Sequence, residues 1–185
     1  MIIFSAILGV IILILYVCYV RVIKAKNQLD EALSSIDTQL KLRSDSVPNI
    51  LKIAQRFMKH EKELFTEITK LRSAATRQPV GTSKRFEAES KLQDVMKQFF
   101  VSVENYPQLK SDAPFTKAIE SYTEIEENIA ASRRFYNAAL RELKDRTMIF
   151  PSSLFAGFAG DLSEYDYFKA TAKEKKAINV DDYLK

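Results

Sequence analysis

Hydrophobic residues fall into three successive patterns along this chain. The first is an unbroken run. Residues 1–20 contain no charged side chain. At about 1.5 Å per residue they make a helix of roughly 30 Å, enough to cross the hydrocarbon core of a bilayer. No Lys or Arg precedes the run, and it ends on Tyr16, Val17, Cys18, Tyr19 and Val20, too bulky for a small-x-small cleavage site. The pattern therefore predicts a retained transmembrane anchor over 1–20 rather than a cleaved signal. Tyr16 and Tyr19 fall at the level of an interfacial aromatic belt.

The second pattern is amphipathic and predicts helices. Leu29, Leu33, Ile36, Leu40, Val47, Ile50, Ala54, Phe57, Leu64, Ile68 and Ala75 follow steps of three, four or seven. Arg43, Glu61 and Leu71 fill three of the intervening places. The phase continues across Pro48, a helix breaker that Asp45 and Ser46 are placed to cap. Residues 22–76 are thus one helix kinked at 44–48 or two helices meeting there, and the unbroken phase favours the kink. Residues 78–83 read as a loop, with Thr82 or Ser83 as a cap. A stripe from Phe86 to Val103 follows and stops at Asn105-Tyr106-Pro107. Asp112-Ala113-Pro114 opens the longest stripe, Phe115 to Phe150, which Pro151 ends.

The third pattern is PSSLFAGFAG at 151–160, apolar but rich in small residues. A polar stretch with a short helix at 163–176 comes after it. The expected fold class is all-α: a single transmembrane helix, then an antiparallel bundle of three to four long helices over 21–150 with coiled-coil character. Residues 151–185 form a separate C-terminal segment. Its place depends on the direction of the chain at Pro48, which puts it beside the membrane or at the far end.

Composition agrees with helices. Gly numbers 4, Pro 5 and Trp 0, while 28% of residues are charged and interleaved with apolar ones. The formal charge of +4 is mild and no long basic run occurs, which argues against a nucleic-acid binder. Arg21, Lys24 and Lys26 follow the apolar run, and the positive-inside rule then places the domain in the cytoplasm and the N-terminus outside. Cys18, the sole cysteine, lies inside the span, so no disulfide forms within one chain.

Known site chemistries find little to use. The one histidine, His60, lacks companion ligands at metal-site spacing. No G-x-S-x-G, phosphate loop or paired Glu-x-x-His motif occurs. Glu120, Glu124, Glu126 and Glu127 read as a charged face. No enzyme and no cofactor is expected. Two polar clusters remain: Asp37, Gln39, Arg43, Asp45 and Asn49 beside the first seam, and Arg133, Arg134 and Asn137 in the last helix. Successive Arg residues differ by about 100° on a helix, so one faces solvent while the other nears the seam. A buried Arg needs a carboxylate, and Asp37 or Asp45 is the expected source. The clusters serve interhelical registry and surface charge, or a partner site.

Several stretches together resemble the LemA family of bacterial proteins. They are Ile36-Asp37-Thr38-Gln39-Leu40-Lys41, Val47-Pro48-Asn49-Ile50, Lys59-His60-Glu61, Tyr106-Pro107-Gln108-Leu109-Lys110, Arg133-Arg134-Phe135-Tyr136-Asn137, Phe150-Pro151-Ser152 and Tyr167-Phe168. Leu42 and Ser44 interrupt the basic run that members tend to carry there. The resemblance implies a membrane-anchored helical bundle facing the cytoplasm, no established catalytic activity and an accessory role. Some members sit near membrane-stress proteases or take part in organising membranes.

The expected function is a single-pass protein of the bacterial inner membrane. Its bilayer contact is residues 1–20, and its bundle is a scaffold or adaptor for a protein partner. The alternative is a self-associating structural or membrane-organising protein, a homo-oligomer, in which Leu154, Phe155 and Phe158 dock on lipid or on a second copy. Docking of that segment on its own bundle is the favoured expectation, because large exposed apolar patches are uncommon.

Overall fold

A computed structural model of the chain describes residues 1–168. Among the described residues five α-helices occur in order: α1 (Ile2–Ala54), α2 (Lys62–Thr76), α3 (Ser83–Val103), α4 (Pro107–Lys110) and α5 (Ala113–Met148). A 3-10 helix spans Ser152–Ala159, and no strand occurs among the described residues. The short helix expected at 163–176 lies largely outside the described residues. Its described part, 163–168, is not helical.

Helix α1 carries both the apolar run and the first seam. Its opening turns are exposed all round, and this part is long and apolar enough to cross a membrane. From Cys18 a single buried stripe begins, running through Val22, Ala25, Leu29, Ala32, Ile36, Leu40, Val47 and Ile50. No breaker separates the two parts, so the helix passes from apolar run to amphipathic face without a joint. It also passes through Pro48 and ends at Ala54.

The chain reverses over residues 55–61, not at 44–48, and the expected helix over 22–76 is two helices. Met58 N–H donates to the Ala54 carbonyl and Phe57 N–H to the same oxygen, closing the last turn before α2 begins. The seam could not reveal this. A step of seven from Phe57 to Leu64 is met equally by two helical turns or by a reversal between two seams.

Arg43 meets Glu126 and Ser35 meets Ser132, which sets α1 and α5 antiparallel. Arg72 reaches Ser44, so α2 returns along α1. Thr82 accepts from Arg85 N–H at 3.3 Å and starts α3, while Asp112 accepts from Phe115 N–H at 2.9 Å and starts α5. Both caps are as expected.

Burial divides into two cores. The distal core joins Val47, Ile50 and Ala54 to Phe65 and Ile68 of α2, Leu92, Met96 and Phe99 of α3, and Phe115 and Tyr122 of α5. The proximal core, nearer the apolar run, joins Val22 through Leu40 to Ile129, Tyr136, Leu140 and Leu143 of α5, with Phe86, Ala159 and Phe168. Helices α2 and α3 reach back only to the start of the proximal core. Below them the cover is the segment 152–168.

Candidate functional site

A belt of buried charge separates the two cores. Arg43 (2% exposed) pairs with Glu89 of α3 (2% exposed), and with Glu126 of α5 at 3.0 Å. Its Nη2 also lies 3.3 Å from the Glu89 carbonyl. Arg85, buried one turn before Glu89, meets the other Glu89 oxygen at 2.8 Å and donates to the Ala75 carbonyl at 2.7 Å. Gln93 donates to Glu126 at 3.3 Å. Two arginines thus face two carboxylates, and the belt is neutral as a whole.

Burial by itself would lower the Arg43 guanidinium, but the Glu126 and Glu89 carboxylates outweigh it and hold the group above its ordinary value. Burial, and then the charge of Glu126, raise the nearby Tyr122 phenol well above its ordinary range. Both groups keep their ordinary charge at neutral pH. Buried ion pairs of this kind fix the register of the helices that carry them.

Three of the four charged members take seam positions. Arg43 lies three after Leu40 and four before Val47. Glu89 lies three after Phe86 and three before Leu92. Glu126 lies four after Tyr122 and three before Ile129. Of these the sequence reading singled out only Arg43. Glu126 was placed on a charged face and Glu89 and Arg85 were missed. The available signal was a charged residue in the apolar phase of its helix. Asp37 and Asp45, the expected partners of a buried arginine, are both exposed, as is Asn49, so they stand outside the belt. Gln39 is half-buried. Their steps of one from Ile36, and of two from Arg43 and Val47, turn Asp37, Asp45 and Asn49 off the seam.

Beside the belt, Pro48 leaves the Ser44 carbonyl without a helical donor. Arg72 of α2 supplies one, its Nε donating at 2.5 Å. This contact carries α1 through its proline.

The second polar cluster fastens the C-terminal segment. Asn137 donates to the Phe168 carbonyl and accepts from Phe168 N–H, both at 2.9 Å. Tyr136 donates to the Asp166 carbonyl at 3.0 Å, and Asp166 N–H donates to the Gly81 carbonyl at 3.1 Å. The Arg133 guanidinium lies 3.7 Å from the centre of the Phe168 ring, whereas Arg134 is exposed. One Arg of the pair nears the seam as expected, and there it lies over an aromatic ring. Gly81 has φ 91°, and a Cβ there would meet Leu33 Cδ1 at 3.1 Å and Tyr165 Cδ1 at 3.2 Å. A glycine is therefore required where the loop, α1 and residues 161–168 converge.

Residues 152–159 sit beside the point where α1 leaves its apolar run. Tyr19 packs edge-on against Phe155 (5.8 Å) and Phe158 (5.3 Å). Docking of this segment on its own domain was the favoured expectation. That holds for the half-buried Phe155, but Leu154 and Phe158 remain exposed. At the other end, roughly 50 Å along α1, lies an open groove of about 860 Å³ with Met58 and Phe65 at its floor and Lys59, Lys62 and Lys70 around it. No acidic side chain lines it. His60 is exposed, and among the described residues no three His, Cys, Asp or Glu gather as metal ligands.

The family model described as LemA family matches residues 32–181. No curated protein matches the chain.

Proposed function

The chain belongs to the LemA family, and on that premise we propose that it is a non-enzymatic adaptor, a helical bundle held to the bacterial inner membrane by residues 1–20 and facing the cytoplasm. The groove between the end of α1 and α2 carries this reading. Its volume of about 860 Å³ falls in the range of binding clefts, and its floor is apolar. The three lysines around that floor suit a partner segment that is amphipathic and acidic, such as a helix with carboxylates flanking an apolar face. Distance from the bilayer favours the same end, since a protein in the cytoplasm reaches it without meeting lipid headgroups. Arg21 and Lys24, exposed just past the apolar run, support the orientation.

A photo-crosslinking residue at Thr66 in the full-length membrane protein tests the reading. An adduct that forms in cells, and disappears when Lys59, Lys62 and Lys70 are changed together to Glu, is the expected result. An adduct indifferent to that charge reversal would falsify the groove as the docking site. Protease protection of a tag after Lys185 in intact spheroplasts checks the orientation, with cleavage only after lysis expected.

A further inference from the structure

The corner between α5 and the 3-10 helix exposes five large apolar side chains: Met148 (76%), Ile149 (62%), Phe150 (75%), Leu154 (64%) and Phe158 (55%). No other part of the described domain beyond residue 20 gathers as many. Two observations fix its height. Antiparallel register from Arg43–Glu126 and Ser35–Ser132 brings the end of α5 level with the turn around Val20. Independently, the Phe155 and Phe158 rings pack on Tyr19. Two segments remote in sequence therefore present apolar groups at one level.

That level is where the exposed apolar surface of α1 ends and exposed Arg21 and Lys24 begin. The patch is continuous with the span through Tyr19. We propose that this corner is a second membrane contact, a collar seated at the headgroup and acyl boundary of the leaflet from which α1 emerges. The occupant is bilayer lipid. Where α1 spans, lipid is already at this height, so binding needs no encounter. Short apolar segments of this kind bury about 5–10 Å into the boundary. Arg21 and Lys24, long enough to extend toward headgroups, complete the interfacial pattern. A single helix lets a domain swivel and tilt. A second contact beside it fixes which face of the domain looks along the membrane and keeps the distal groove pointing away from it. The inference rests on α1 crossing the bilayer, not on what the groove binds.

The test uses the full chain with Cys18→Ser, in vesicles of three parts phosphatidylethanolamine to one part phosphatidylglycerol. Nitroxide labels are placed singly at Val10→Cys in the span, Ile149→Cys and Leu154→Cys in the collar, and Val101→Cys, exposed at the distal end of α3. Collision rates with oxygen and with a water-soluble nickel chelate are compared. The expected result is an oxygen-weighted ratio at 10, 149 and 154, and a chelate-weighted ratio at 101. Chelate access at 149 and 154 equal to that at 101, with 10 still in lipid, overturns the collar and leaves the span standing. Chelate access at 10 overturns the span and the collar together. Dipolar broadening at 154 that vanishes on dilution with unlabelled chain means a second copy covers the corner, which also overturns lipid as its occupant.

Discussion

The distal half of the domain is covered by helices, whereas the proximal half is covered by a strap. In the distal half α2 and α3 cover the α1–α5 pair, and aromatic and aliphatic side chains from five helices interlock. In the proximal half α1 and α5 continue without them, and a strap, residues 152–168, lies across the pair, its last residues held by backbone hydrogen bonds to Asn137, Tyr136 and Gly81. The apolar seam of α1 is the same in both. The difference lies in its cover, and the belt around Arg43 stands where one cover gives way to the other. A seam periodicity thus states that a face is buried and says nothing of what buries it.

The comparison is broken most severely at the belt. Arg43→Ala leaves Glu89 buried without its main partner and Glu126 half-bereft. A loss of about 3–5 kcal/mol is expected in urea unfolding of the detergent-solubilised chain, with faster amide exchange in both halves. Replacing the set together, Arg43→Met with Glu89→Gln and Glu126→Gln, is expected to recover much of that loss, since no charge is then stranded.

Asn137→Ala strands the N–H and carbonyl of Phe168 and is expected to cost about 1–3 kcal/mol. Its exchange signature separates the halves: amides of the strap and the Gly81 turn open, while those of α2 and the distal end of α3 keep their protection. Equal opening in both halves would mean that the strap is not a separate closure.

A smaller effect belongs to Arg72, whose hydrogen bond to the Ser44 carbonyl is worth about 1 kcal/mol. Pro48→Ala restores the helical N–H donor to that carbonyl, so Arg72→Ala should cost less in the Pro48→Ala background. A double-mutant cycle reads this coupling, and strict additivity refutes it. Smallest of all is Asp37→Asn. Its side chain is exposed and outside the belt, so melting is expected to change by no more than about 0.5 kcal/mol.

Much of this architecture was legible from residue order. The run over residues 1–20 reads as a helix long and apolar enough to cross a membrane, and the opening of α1 is such a helix, because length and lack of charge are read directly from residue order. Thr82 and Asp112 cap the helices they were expected to cap, because capping is settled within three or four residues. The helix over 113–148 follows from its period and its proline boundaries. Even Arg43 was visible as a charge in an apolar phase.

Its partners were not. Glu89 and Glu126 lie 46 and 83 residues away along the chain, and only the register of three helices decides which carboxylates meet the guanidinium. The reversal at 55–61 was hidden for a related reason: two seams that happen to share a phase read as one. Asn137 and Phe168 look like unrelated polar and aromatic positions until the strap lays one against the other. Periodicity, capping and span length are local properties, fixed by neighbours within a few turns. Pairing across the fold depends on where distant segments come to rest, and that is set by the packing of the whole domain.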